Sequence, residues 1–221
     1  MAVQPTGSMQ SVIERLSETW PAHKTVNIVC HGHSVPAGFR VTPEVDVLGS
    51  YPHLLRAGLA ARFPTAVFNV IVTAKGGENS RQGEKRFASD VIALRPAVVC
   101  IDYALNDRRI GPEAAREAWI SMIRQAQAAN AVVILMTPTP DVEDASGKLA
   151  EYAGQVRSIA QEMGTLLVDS DAIFAGAGDV RALMSQRNHP NTTGHKLIAE
   201  RLLSLFHQPG VPGVLPSGDE E

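Results

Sequence analysis

Five short apolar, β-branched runs punctuate this chain, at residues 25–30, 66–72, 97–103, 131–137 and 165–169. Their starts lie 41, 31, 34 and 34 residues apart, close to the length of one strand–helix–strand unit. The runs are continuous and do not alternate with polar residues, which suits strands covered on both faces and therefore a parallel sheet. Helical spacing fills the intervals. In 112–130, Ala115, Trp119, Met122, Ile123 and Ala126 recur every three or four residues, and in 192–206 Leu197, Ile198, Arg201, Leu202 and Leu205 share one register. Strands and helices alternating through right-handed crossovers predict a three-layer α/β/α sandwich around a five-stranded parallel sheet. Ligands of such sheets sit beyond the C-terminal strand ends, so the residues following each run are where chemistry is to be sought.

The two ends depart from this pattern. Residues 1–8 carry Pro5, Thr6, Gly7 and Ser8 ahead of a second methionine, Met9, and read as a flexible leader or expression remnant. Residues 208–221 hold Pro209, Gly210, Pro212, Gly213, Pro216 and Gly218 before an acidic close, which is tail composition. No linker or charge block divides 9–207, so one domain is expected there. With 20 basic against 23 acidic residues the chain offers no broad cationic face, and nucleic acid is not an expected partner. No apolar run approaches the roughly 20 residues that span a bilayer, and the N-terminus lacks the basic-then-apolar order of a signal peptide. A soluble, cytoplasmic protein without a membrane partner is expected. Cys30 and Cys100 each lie inside an apolar run, which predicts reduced, buried thiols.

Four segments at the predicted strand ends carry reactive or donor groups. After the first comes Cys30-His31-Gly32-His33-Ser34, a serine on a glycine-framed turn; by itself it reads as a turn residue or as the N-cap of a helix. After the second comes Gly76-Gly77-Glu78-Asn79-Ser80. Its glycines let the backbone approach a ligand and present N–H donors, or simply form a loop in which Asn79 or Ser80 caps the next helix. The third is followed by Asn106-Asp107-Arg108-Arg109, an amide donor with an aspartate suited to cap a turn. Before the last helix stands Gln186-Arg187-Asn188-His189-Pro190-Asn191, whose histidine suits a general base near neutral pH. His195 is expected on the helix surface or in local packing.

Together these segments resemble the blocks of the SGNH, or GDSL, hydrolases: Gly-x-Ser, a glycine loop, Asn-Asp and His-Pro-Asn, in that order and across residues 25–206. The resemblance implies a flavodoxin-like SGNH hydrolase fold and hydrolysis of esters or thioesters through an acyl-enzyme. It makes Ser34 the nucleophile, His189 its base, and the Ser34 backbone, Gly77 and Asn106 the oxyanion donors. A small ester is the implied partner, with short acyl or acetylated carbohydrate esters expected; no metal or organic cofactor is required. Nothing in the pattern bears on oligomeric state.

Three positions depart from the family pattern. His33 replaces the acid of Gly-Asp-Ser and leaves a second titratable group beside the serine, Ala104 replaces a glycine, and Gln186 stands where an aspartate would orient the histidine. A Ser-His dyad helped by a neutral acceptor is therefore expected, with Asp179, Asp169 or Glu78 as substitute carboxylates. Three other readings compete. A nucleophile elbow of the α/β-hydrolase type is countered by Pro36 at the place of its second glycine. His31, His33, His189 and His195 could gather as a metal site. The fold could also be a carbohydrate- or acyl-binding module in which catalysis decayed at Gln186. Arg108 and Arg109 could meet an anionic substrate group, although exposed arginines there are more often solvated.

Overall fold

The computed structural model describes residues 7–207. Its central sheet has five parallel strands in the order β2-β1-β3-β4-β5, formed by β1 Val26–Gly32, β2 Phe68–Val72, β3 Val98–Asp102, β4 Val132–Met136 and β5 Leu166–Val168. Each lies inside or within two residues of a predicted run. The reason for the continuous apolar runs is visible in the packing. In the three central strands Ile28, Cys30, Val98, Cys100, Ile134 and Met136 enter one core, while Val29, Val99, Ile101, Val133 and Leu135 enter the other. Both faces are dry, so alternation disappears from the sequence. Each fully buried Val, Ile or Leu contributes roughly 1.5–3 kcal/mol.

Helices cover the two faces. On the first lie α1 Met9–Leu16, α3 Tyr51–Arg62 and α10 Thr192–Ser204, through Leu16, Leu55, Leu59, Ile198 and Leu202. On the second lie α7 Pro112–Ala128 and α8 Lys148–Met163, through Trp119, Met122, Ile123, Val156 and Ile159. Single turns α2 Ser34–Ala37, α5 Phe87–Asp90 and α6 Ala104–Asp107, with the short helices α4 Ser80–Lys85 and α9 Ser170–Gly176, fill the connections.

Two expectations need correction. β2 is an edge strand and is not covered on both faces: Val72 is 41% exposed, and only Phe68, Val70 and Ile71 pack on the cores. Ser8, assigned from sequence to the leader, caps α1 by accepting the Ser11 N–H. Residues 1–6 of that leader and the whole 208–221 tail lie outside the described residues. Cys30 and Cys100 are register partners on β1 and β3, both free and buried. No helix among the described residues is long and apolar enough to cross a membrane.

Candidate active site

The close approach of β1 and β3 sets the position of the serine. Gly32 pairs with Asp102, and any Cβ at 32 would run into the Asp102 carbonyl and the Pro36 ring, so only glycine allows this junction. The His33 N–H then donates to the Asp102 carbonyl (3.2 Å), and the chain turns directly into α2 with Ser34 as its first residue. A residue there has no intrahelical acceptor for its N–H. Among the described residues the Ser34 N–H donates to nothing, and neither does that of Gly77 in the loop after β2. Gly77 sits at φ 78° with open space where a side chain would be. That loop runs into α4, capped by Asn79.

Asn106 and Asp107 fasten the loop after β3 to the loop after β2. Asn106 Nδ2 donates to the Glu78 carbonyl (2.9 Å), which occupies one of its two hydrogens. Asp107, expected to cap the turn that follows it, instead is fully buried and accepts from the Ser80 N–H (2.7 Å) and Trp119 Nε1 (2.8 Å). Burial holds its carboxyl above the usual carboxylate range, and those same donors act against the shift.

His189 arrives on a small antiparallel hairpin, β6 Met184–Gln186 and β7 His189–Pro190, in which Gln186 pairs with His189. The hairpin is held from outside. Arg187 makes a two-pronged contact to Asp141 (3.0 and 2.6 Å), and the Val142 N–H donates to the Arg187 carbonyl (2.7 Å). Arg108 shares Asp141 Oδ2 with Arg187 (2.9 Å) and also meets Asp144 (2.8 Å), so it is engaged in the scaffold and not free for a substrate. Arg109 donates to the Gly77 carbonyl (3.3 Å).

The structure brings Ser34 and His189 together, with Ser34 Oγ 2.9 Å from His189 Nε2. On the far side of the ring, Nδ1 lies 2.8 Å from the Arg40 carbonyl and 3.2 Å from Gln186 Oε1. A carbonyl can only accept, so Nδ1 carries the proton and Nε2 offers its lone pair to the serine hydroxyl. Gln186 Oε1 is itself pinned by the Thr42 N–H (3.2 Å) and Thr42 Oγ1 (3.1 Å). Burial lowers the His189 pKa from its ordinary 6.5, the bond to Arg40 raises it, and nearby His33 lowers it further.

None of the substitute carboxylates proposed from sequence touches this ring. Asp169 is held by Arg157 and Thr137, Glu78 by Arg86, and Asp179 caps a turn at Arg181. The acceptor is instead the backbone of Arg40, which no side-chain pattern reveals. Also missed was Asp102, whose only sequence signal is a carboxylate ending an apolar run. Among the described residues no three His, Cys, Asp or Glu side chains are grouped to hold a metal ion, and His31 and His195 have partners of their own away from Ser34. His195 is not on the surface: it is buried and accepts the Tyr51 N–H through Nδ1 (3.2 Å).

Comparison with known proteins points the same way. Residues 30–197 match the family described as GDSL-like Lipase/Acylhydrolase. An acetylxylan esterase of Geobacillus stearothermophilus is 26% identical over 164 residues, 66% of this chain and 75% of that protein. The crystal structure of an acetylxylan esterase from the same organism superposes with a TM-score of 0.73 at 24% identity, covering 87% of this chain and 97% of the other. Two catalytic mutants of that enzyme, one lacking a serine and one a histidine, match over the same shares at TM-score 0.71 and 22% and 23% identity. A protein of the G-D-S-L family from Desulfitobacterium hafniense aligns at TM-score 0.67 and 23% identity, over 81% of this chain and 99% of that one.

Proposed function

Because the chain belongs to the GDSL-like lipase/acylhydrolase family and is a carboxylic ester hydrolase, we propose that it releases short acyl groups, acetyl on carbohydrate foremost, through an acyl-enzyme on Ser34. The observation that carries this reading is the 2.9 Å contact of Ser34 Oγ with a histidine nitrogen whose opposite nitrogen is anchored as a donor.

Serine is a weak nucleophile until its proton is taken. His189 Nε2 takes that proton as Oγ bonds to the ester carbonyl carbon. The carbonyl oxygen then carries the charge of a tetrahedral intermediate, facing the unused N–H groups of Ser34 and Gly77 and the second Asn106 amide hydrogen. Collapse expels the alcohol, which takes the proton from His189. Water repeats the sequence to release the acid and restore Ser34. While His189 is protonated, its Nδ1–H rests on two neutral oxygens, so orientation is secured with less charge stabilisation than a carboxylate gives.

The preference for acetyl rests on the acetylxylan esterase relatives, and that for a carbohydrate alcohol also on the ground beside His189. There an open depression of about 700 Å³ is lined by Arg40, Val41, Glu44, Val45, Asp46 and Ser185. Charged groups among valines suit a hydroxyl-rich alcohol better than a long alkyl chain. The test is a panel of p-nitrophenyl esters of increasing chain length with acetylated xylo-oligosaccharides, run on wild type and Ser34→Ala. Acetate should be cleaved fastest, and Ser34→Ala should lose more than about 10³-fold and resist labelling by a serine-directed phosphonate. Wild-type turnover by Ser34→Ala would overturn the reading, and preference for long chains would overturn the substrate class.

A further inference from the structure

Ser34 Oγ touches a second imidazole. His33 Nδ1 lies 3.3 Å from it, and the same nitrogen accepts the Val35 N–H (3.3 Å). An N–H donor at Nδ1 requires its lone pair, so the His33 proton resides on Nε2. That Nε2 is buried, lacks a hydrogen-bond partner of good geometry among the described residues, and lies 3.3 Å from Asp102 Oδ1. Tyr51 Oη donates to the other carboxylate oxygen (3.3 Å), and both His33 and Asp102 are sealed from solvent.

Capping α2 does not account for this arrangement. Ser, Asp or Thr would accept the Val35 N–H at far less desolvation cost than a wholly buried imidazole, and none of them would add a buried side-chain N–H. That ring N–H, 3.3 Å from a carboxylate in a dry site, is placed to stay with the carboxylate while the ring receives a proton from Ser34.

We propose that His33 is a second proton acceptor for Ser34, with Asp102 the carboxylate that matches its charge as Gln186 and the Arg40 carbonyl support His189. In the step, the Ser34 Oγ–H bond breaks, its proton passes to the His33 Nδ1 lone pair, the Val35 N–H gives up its hydrogen bond to that nitrogen, and Oγ bonds to the acyl carbon as the carbonyl pair moves onto its oxygen. His33, now doubly protonated, keeps Nε2–H toward Asp102 and later returns the Nδ1 proton to the departing alkoxide. His189, at 2.9 Å, remains the principal route, and His33 carries the reaction when that route fails. This inference rests on the reading of Ser34 as nucleophile.

The experiment is a double-mutant cycle on acylation by p-nitrophenyl acetate, using wild type, His33→Asn, His189→Ala, both together, and Ser34→Ala as the blank. Asparagine retains an acceptor for the Val35 N–H but takes no proton. His33→Asn should slow acylation only about threefold with His189 present and at least about tenfold without it. Asp102→Asn, which keeps an acceptor for Tyr51, should reproduce the larger loss in the His189→Ala background and serves if His33→Asn folds poorly. Equal factors in both backgrounds would mark a structural role and overturn the proposal, as would a His189→Ala rate no higher than the blank. An active Ser34→Ala would instead sink the nucleophile assignment itself.

Discussion

His31 and His33 are two residues apart, and His189 and His195 six, yet each pair divides into one ring on Ser34 and one walled off from it. His31 is used at both nitrogens, with Nδ1 2.8 Å from Thr73 Oγ1 and Nε2 3.2 Å from the Gly83 carbonyl, between the edges of Phe87 and Tyr103. His195 accepts the first backbone N–H of α3. Burial, with help from a nearby arginine in each case, pushes both down to about 4, which keeps them neutral and fit to hold backbone. His33 and His189 each leave a nitrogen facing the hydroxyl. The difference lies less in burial than in whether a ring nitrogen reaches the serine hydroxyl: His33 Nδ1 does so while also accepting the Val35 N–H, and neither nitrogen of His31 or His195 does.

The sharpest way to break this division is to compare the two rings of the C-terminal pair. His189→Ala should lower kcat/KM for p-nitrophenyl acetate by about 10³-fold. His195→Asn should leave it within about threefold while costing about 1–2 kcal/mol of stability through the weakened cap on Tyr51. Steady-state kinetics and urea melts on the two variants decide it, and comparable activity losses would erase the distinction.

Sequence alone distinguishes these rings poorly, for a physical reason. The central strands were legible because burial on both faces imprints a continuous run, and edge strand β2 was over-read because its half-exposed face carries the same residue types. Ser34, His189, Gly77 and Asn106 stand out because their side chains, or the lack of one, fit a reaction. The Arg40 carbonyl cannot stand out, since every residue has one and only the fold brings this one to His189. Asp102 was readable in principle: pairing of β1 with β3 sets it opposite Gly32, next to His33. The 184–190 hairpin carries no strand signal, being strands of three and two residues with neither β-branched nor alternating pattern, held by Arg187 and Asp141.

A smaller effect sharpens the contrast between the two sides of Ser34. Gln186→Glu keeps the reach of the side chain, which Asp would lose by one methylene, and retains the donors from Thr42. A carboxylate at this place favours the protonated ring. The acid limb of the kcat/KM profile, set below 6.5 in the wild type by burial of His189, should therefore move up by about one pH unit, with a several-fold higher plateau. An unmoved limb would mean that the Arg40 carbonyl alone governs the ring.

The walled-off pair should register in stability instead of rate. His31 and His195 have an ordinary value of 6.5 and stand at about 4 when folded. As pH falls through 6.5 the unfolded chain takes up these protons and the native chain does not, until about 4. Native stability is therefore fully present above 6.5 and is lost on acidification across that window, by up to about 1.4 kcal/mol per pH unit for each ring. Carboxylates such as Asp46 and Asp90, held below 3.8 by their hydrogen bonds and ion pairs, add a loss of the same sign toward the acid end, which the difference between wild type and variant cancels. His195→Asn should flatten the slope of unfolding free energy against pH between 6 and 4.5 by close to one ring's share. Urea denaturation at four or five pH values reads that slope directly. If it does not change, His195 is protonated inside the fold after all, and its nitrogen is no longer an acceptor for Tyr51.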